Sequence, residues 1–237
     1  MEFGAFLDEI GLDPLSARAV LSWNEEAEAD ECLGNLVSIC RQAWSRTWRL
    51  YEEKGISWEV FINTFRDIAR WEEDYRERTG RSGLSNTRWL GNHLSLRLFA
   101  VGALQYQIPD EDCKVFTLYL HIPKHADISQ PSVDESFSRA LAFFKVDEMR
   151  LVCSSWLLSD ELSSLLPPPS RIRSFSARFT HVADNYERRQ AEERIFGALR
   201  DNPADYPVTS SLARSARDYL VSGGRLPVTT GYLTIRR

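Results

Sequence analysis

Near residue 94 the hydrophobic pattern changes its period, so the chain has to build two kinds of structure in succession. Upstream, apolar side chains recur three and four residues apart through Leu33, Leu36, Val37, Cys40, Trp44, Trp48 and Tyr51. They do so again through Trp58, Phe61, Ile62, Phe65, Ile68, Ala69 and Trp71. That spacing places each set on one face of a helix, and these aromatic faces read as core. Between the stripes Gly55 supplies a helix stop, and Ser57 with Glu59 a helix start, which predicts a short helical hairpin. A turn at Gly80-Arg81-Ser82-Gly83 closes the region.

Downstream, Leu96 to Ile108 is β-prone and ends at the turn signal Pro109-Asp110. From Cys113 to Ile122, Val115, Thr117, Tyr119 and His121 alternate with Phe116, Leu118, Leu120 and Ile122. Both runs are predicted strands. Ser132-Val133-Asp134-Glu135 fits a capping box that opens a helix to about Phe144. Further strands are expected over Met149 to Ser154, Ser174 to Val182 and Val228 to Ile235. Helices are expected over Asp160 to Leu166, stopped by three prolines, and over Glu187 to Leu199 and Ser210 to Val221. The reading is an α/β (α+β) protein of 237 residues, with a small helical domain over 1–93 and an α/β domain over 94–237.

Charge and composition exclude several roles. The 29 basic residues are scattered among 34 acidic ones for a net charge of -5, with no basic stripe for a phosphate backbone, so nucleic acid is not an expected partner. No run approaches the roughly 18 apolar residues of a membrane helix, and the start carries acids where a secretory signal carries bases. A cytoplasmic protein is expected. Cys32, Cys40, Cys113 and Cys153 form no CxxC pair, and His93, His121, His125 and His181 complete no four-ligand zinc set, so no metal is expected. His93 and His125 are expected at the surface.

The chain lacks GxxxxGK[ST], GxGxxG and the GxSxG elbow. Reactive groups instead gather at two strand ends, Leu120-His121-Ile122-Pro123 and Val152-Cys153-Ser154-Ser155-Trp156. If those strands are parallel neighbours joined by the intervening helix, both ends lie at the sheet edge where ligands of open α/β sheets collect. His121 then suits general base work near neutrality, and Cys153 or Ser155 a nucleophile, acid or hydrogen-bond donor. Each has a plain structural alternative: Cys153 as a small buried hydrophobe, His121 as a satisfied structural histidine, Ser155 as a cap and Trp156 as a core plug. Gln105 binds either backbone or substrate. Ser136 reads as a first-turn residue within reach of a ligand at its helix N-terminus, beside the acids Asp134 and Glu135.

Gly102-Ala103-Leu104-Gln105-Tyr106, Leu120-His121-Ile122-Pro123, Ser136 with Ala140 and Phe143-Phe144, Cys153 to Leu158, and Phe175 to Phe179 resemble, in order and spacing, the motifs of a bacterial acyltransferase-like family. In it a helical N-terminal acyltransferase domain precedes a GNAT-like C-terminal domain. The resemblance implies a GNAT-like mixed central sheet flanked by helices and a direct acyl transfer. The donor would be acyl-CoA or a phosphopantetheine on an acyl carrier protein, used as co-substrate, and the acceptor a small-molecule amine or hydroxyl. It implies that the strand ending at His121 splays from the strand Met149 to Ser154 and that the thioester arm lies in the wedge. Donor contacts would come from Ile122, Ser132 and Ser136, substrate contacts from Gln105 and Trp156, and catalysis from His121, Cys153 and Ser155. The loop Lys124-His125-Ala126-Asp127 lacks the glycines of the usual pyrophosphate loop. That departure supports an alternative, a non-catalytic GNAT-derived module that binds a small molecule or a protein. A second alternative makes Cys153 a covalent nucleophile activated by His121.

Overall fold

The computed structural model describes residues 2–24, 30–111, 113 and 115–237. They pack as two compact units, one of residues 1–109 with 122–126 and one of residues 110–121 with 127–237.

The first unit contains α1 (Phe3–Glu9), α2 (Pro14–Ser22) and α3 (Glu31–Gln42), a π-turn at Ala43–Thr47, α4 (Trp48–Glu53), α5 (Trp58–Thr79) and α6 (Gly91–Leu94). The predicted hairpin is present: Gly55 turns the chain at φ +65°, and Ser57 Oγ accepts the Val60 N–H at the start of α5. Both stripes meet at Phe61, whose ring lies 4.8 Å from Phe65, 5.0 Å from Trp48, 5.2 Å from Tyr51 and 5.6 Å from Phe6. The run Leu96 to Ile108, expected as one strand, is two. Gly102, at φ +65°, reverses the chain between β1 (Leu98–Val101) and β2 (Leu104–Gln107), which pair antiparallel from Leu98↔Gln107 to Val101↔Leu104. Continuous apolar patterning hid the reversal, since both strands are buried. Thr64 Oγ1 accepts the Ala100 N–H, which ties the hairpin to α5.

The second unit is a mixed sheet with helices. In chain order it contains β3 (Thr117–His121), α7 (Gln130–Phe144), β4 (Glu148–Ser155), a 3₁₀ turn at Trp156–Leu158, α8 (Asp160–Ser164), α9 (Arg171–Ser176), β5 (Thr180–Asn185), α10 (Gln190–Phe196), a second 3₁₀ turn at Pro203–Asp205, α11 (Ser211–Val221) and β6 (Val228–Arg236). The strand order is β3-β4-β6-β5. β3 and β4 run parallel, as their joining helix predicts, and β6 runs antiparallel to both β4 and β5. The expected strand Cys113 to Ile122 is shorter at both ends, and its Lys114 lies outside the described residues. The expected strand Ser174 to Val182 is instead the end of α9, a turn and the start of β5. Alternation of Ser174, Phe175, Ser176, Ala177 mimics a strand, but Phe175 and Ser176 are adjacent and both buried, which a helix allows.

One face of this sheet is dry. Met149, Leu151, Cys153 and Ser155 on β4 and Ile235 on β6 are buried on it. The same parity brings Leu118 and Leu120 of β3 to that face. Trp156, Leu165 and Ile172 pack on a further cluster made by Leu162, Ala191, Tyr206, Ala216, Leu220 and Leu226. Among the described residues no helix is long and apolar enough to cross a membrane.

Candidate active site

β3 and β4 are paired only from Thr117↔Arg150 to Tyr119↔Val152. Beyond that point β3 continues to His121 and β4 to Ser155, and β4 keeps its pairing with β6 through Ser155↔Thr229. The two parallel strands therefore part at their C-terminal ends, and His121 stands at the open end of the gap. It is half-buried.

Strand parity sorts the candidates. Successive side chains alternate between faces, and residues opposite one another share a face. Tyr119 and Val152 are opposite, so His121, two residues on, shares its face with Ser154. Cys153 and Ser155 point to the other face, with the buried Leu151. The expectation that His121 and Cys153 meet as a pair is corrected on this ground. Burial also pushes the Cys153 thiol up to about 12, so it stays protonated at neutral pH and is a poor nucleophile. Ser155 Oγ accepts the Leu157 N–H at 3.2 Å, which makes it the cap of the 3₁₀ turn. Trp156 is the core plug, with its backbone N–H on Gln190 Oε1 at 3.2 Å. Ser154 is the residue that sequence reasoning passed over. Its Oγ lies 2.7 Å from Thr230 Oγ1 on the open face, and counting parity from Val152 would have found it.

The helix after the gap begins earlier than expected. The N-cap of α7 is Ser129, not Ser132, and the first turn carries Gln130, Pro131, Ser132 and Val133 with no acid. Pro131 decides this, because its fixed φ suits the first turn and it needs no hydrogen-bond partner. The predicted capping box is therefore not formed. Asp134 and Glu135 fall one turn later, where Asp134 pairs with Arg178. Ser132 is half-buried at the helix opening, and Ile122 is half-buried after β3. Ser136 is fully buried in the body of the helix, not in its first turn, so it does not reach its N-terminal end. Asp127 and Ser129 close a local turn, with Ser129 N–H on Asp127 Oδ1 at 2.9 Å and Arg171 3.3 Å from the same oxygen.

Residues 98–233 match the model of the GNAT-like C-terminal domain, and residues 42–96 that of the N-acyltransferase N-terminal domain. The chain belongs to the GNAT-like C-terminal domain family. Its fold is also that of solved acyltransferase structures. One, in complex with decanoyl-CoA and teicoplanin, superposes with a TM-score of 0.80 at 20% identity over 98% of this chain and 87% of that one. A second, in complex with decanoyl-CoA, gives 0.77 at 15% identity over 97% and 86%. No curated protein matches the sequence.

Lys124 and Gln105 are both engaged within the fold of this GNAT-like chain. Lys124, the basic residue of the loop after β3, bonds Asp74 at 2.7 Å and Glu73 at 3.0 Å, which raises its pKa further. Gln105 is buried beside Asp67 rather than open to a substrate. Asp67 Oδ2 accepts the Trp89 indole N–H at 3.0 Å and lies 3.1 Å from His93 Nε2, while Arg70 reaches Oδ1 at 3.1 Å. His93 is thus fully buried, which corrects its expected place at the surface. His125 is exposed.

The thiol's burial sets an expected result. Cys153→Ala should keep acyl transfer within about threefold, since a small apolar side chain fills most of the same volume. Intact mass of the wild type after donor turnover should show no acyl adduct. An adduct on Cys153 would restore the covalent route.

Proposed function

We propose that this protein transfers an acyl group directly from acyl-CoA to the amine of a small-molecule acceptor. The observation that carries the reading is the parting of β3 and β4 beyond Tyr119↔Val152 with His121 at the open end. The thioester arm lies between the strand ends, where main-chain amides released from pairing are available to the thioester carbonyl. The pyrophosphate rests on the free amides at the start of α7, by Ser132. An acid-free first turn supports this, because the carboxylates that would repel a phosphate sit one turn further on.

His121 takes the proton from the attacking amine as nitrogen bonds to the carbonyl carbon. The C–S bond then breaks, an amide forms and coenzyme A leaves as the thiol. Ser154, which shares the His121 face, offers its hydroxyl as a hydrogen-bond donor to the departing sulfur. The decanoyl-CoA bound by the structural relatives makes a medium-chain donor the first to test.

Calorimetric titration with decanoyl-CoA, acetyl-CoA and free coenzyme A tests the donor half. Saturable binding with a Kd below about 100 µM is expected, which corresponds to about 5.5 kcal/mol. No binding of any of the three up to about 1 mM would reject coenzyme A as donor and leave a carrier protein or a non-catalytic module. Ser132→Glu gives a sharper result. A carboxylate in the first turn favours the helix by about 0.3 to 1 kcal/mol, yet it repels phosphate, so donor affinity should fall about tenfold while thermal stability does not.

A further inference from the structure

Wholly parallel sheets are covered on both faces, whereas a mixed sheet can leave one face to a ligand or solvent. In this unit the face of β3 and β4 that carries His121 is open: Tyr119 is 40% exposed, Arg150 and Ser154 are exposed, and Val152 is half-buried. β6 extends the same face through Tyr232, opposite Val152. The Arg150 guanidinium lies over the Tyr232 ring, 5.1 Å from its centroid. Among the described residues no carboxylate is within ion-pair distance of Arg150. The nearby Glu148 feels its charge but pairs with Arg236. An aromatic floor, a cation without a carboxylate and the candidate base therefore lie on one uncovered surface, in a chain whose net charge is -5.

We propose that this open face is the acceptor platform and that it selects a long, flat acceptor with a carboxylate far from its reactive amine. The proposal rests on the acyl-transfer reading and names the acceptor class of that site. Arg150 is opposite Thr117, four residues before His121 on β3, so base and cation are about 13 Å apart along the strand. An acceptor that engages both has its amine at His121, a ring over Tyr119 and Val152, and its carboxylate on the Arg150 guanidinium. A free amino acid is too short for this, whereas an extended peptide of about four residues, at roughly 3.3 to 3.6 Å each, has the reach. The guanidinium of Arg150 over the Tyr232 ring keeps its N–H edges for a solvent-side carboxylate, which its fork matches with two parallel contacts.

The test uses the tetrapeptide Gly-Tyr-Gly-Tyr with a free amine, as the C-terminal carboxylate and as the amide, titrated into the full chain with decanoyl-CoA present. The carboxylate form is expected to bind about tenfold more tightly, the usual size of one charge-assisted contact. Arg150→Gln, an exposed substitution that leaves the fold intact, should erase the difference without changing the Kd of decanoyl-CoA. Tyr232→Ala should weaken the carboxylate form more than the amide. Equal affinities in the wild type, or no binding of either peptide up to about 1 mM, would overturn the platform. The decanoyl-CoA titration reads the donor half separately. Donor binding without carboxylate preference rejects only the platform, and no donor binding rejects the acyl-transfer reading beneath it.

Discussion

His121→Ala is expected to lower kcat for acyl transfer by about 10² to 10⁴, the range lost when a positioned general base is removed. The Kd of the acyl-CoA should change little, because the proposed donor contacts are main-chain amides at the strand ends and at α7. This split separates the roles: an unchanged donor Kd with a lost kcat marks a base, whereas a parallel loss of both marks a structural histidine. The wild-type rate should rise with pH as the imidazole loses its proton, since only the neutral form accepts one. In the variant that rise should disappear. Full activity in His121→Ala, with the acceptor the enzyme turns over best, would end the assignment.

Much of the second unit was legible because strands and helices alternate there with distinct periods. The parallel pairing of β3 and β4 followed from the helix between them, and the position of His121 at a strand end followed from Pro123. Which side chains face one another was not legible at the same level. Cys153, Ser154 and Ser155 are consecutive, and a pairing register is needed to say which of them shares a face with His121. Tyr119↔Val152 supplies it, and with it Ser154 replaces Cys153 as the neighbour. A one-residue uncertainty in register exchanges the two faces, so chemistry at strand ends cannot be assigned from residue type alone.

The misread elements share a cause, in which a local signal was outranked by a nearby one. Ser132-x-x-Glu135 is a valid capping box, but Pro131 two residues after Ser129 sets the helix start one turn-length earlier. Moving the start changes the function, since it takes Asp134 and Glu135 out of the first turn and takes Ser136 away from the ligand end. Gly102 was read inside a strand because both arms of the β1–β2 hairpin are apolar, and only its positive φ marks the reversal. His93 was set at the surface because its partner, Asp67, is 26 residues away in the chain and no spacing rule connects them.

That buried pair gives the largest expected change in stability. Asp67→Ala strands the Trp89 and His93 N–H groups in a buried site and leaves Arg70 without its carboxylate, since all three are within hydrogen-bond distance of the carboxylate. Removing one partner from a buried charge network costs about 3 to 5 kcal/mol. For a chain of this size that lowers Tm by roughly 6 °C or more, at about 2 to 4 °C per kcal/mol. Burial by itself would raise the Asp67 pKa. Hydrogen bonds and charge from His93, with further hydrogen bonds from Trp89 and Gln105, outweigh it and hold the carboxyl well below the usual carboxylate range. The folded value is therefore lower than the unfolded one near 3.9, so the stabilisation is complete above about pH 4 and is lost as pH falls below it toward the folded value. Asp67→Asn keeps one oxygen to accept from Trp89 and His93 but no longer titrates. It should cost less than the alanine variant and show a flatter loss of stability between pH 2 and 5. Melting curves of both variants beside the wild type over that range check the assignment, and parallel acid slopes for wild type and Asp67→Asn would refute it.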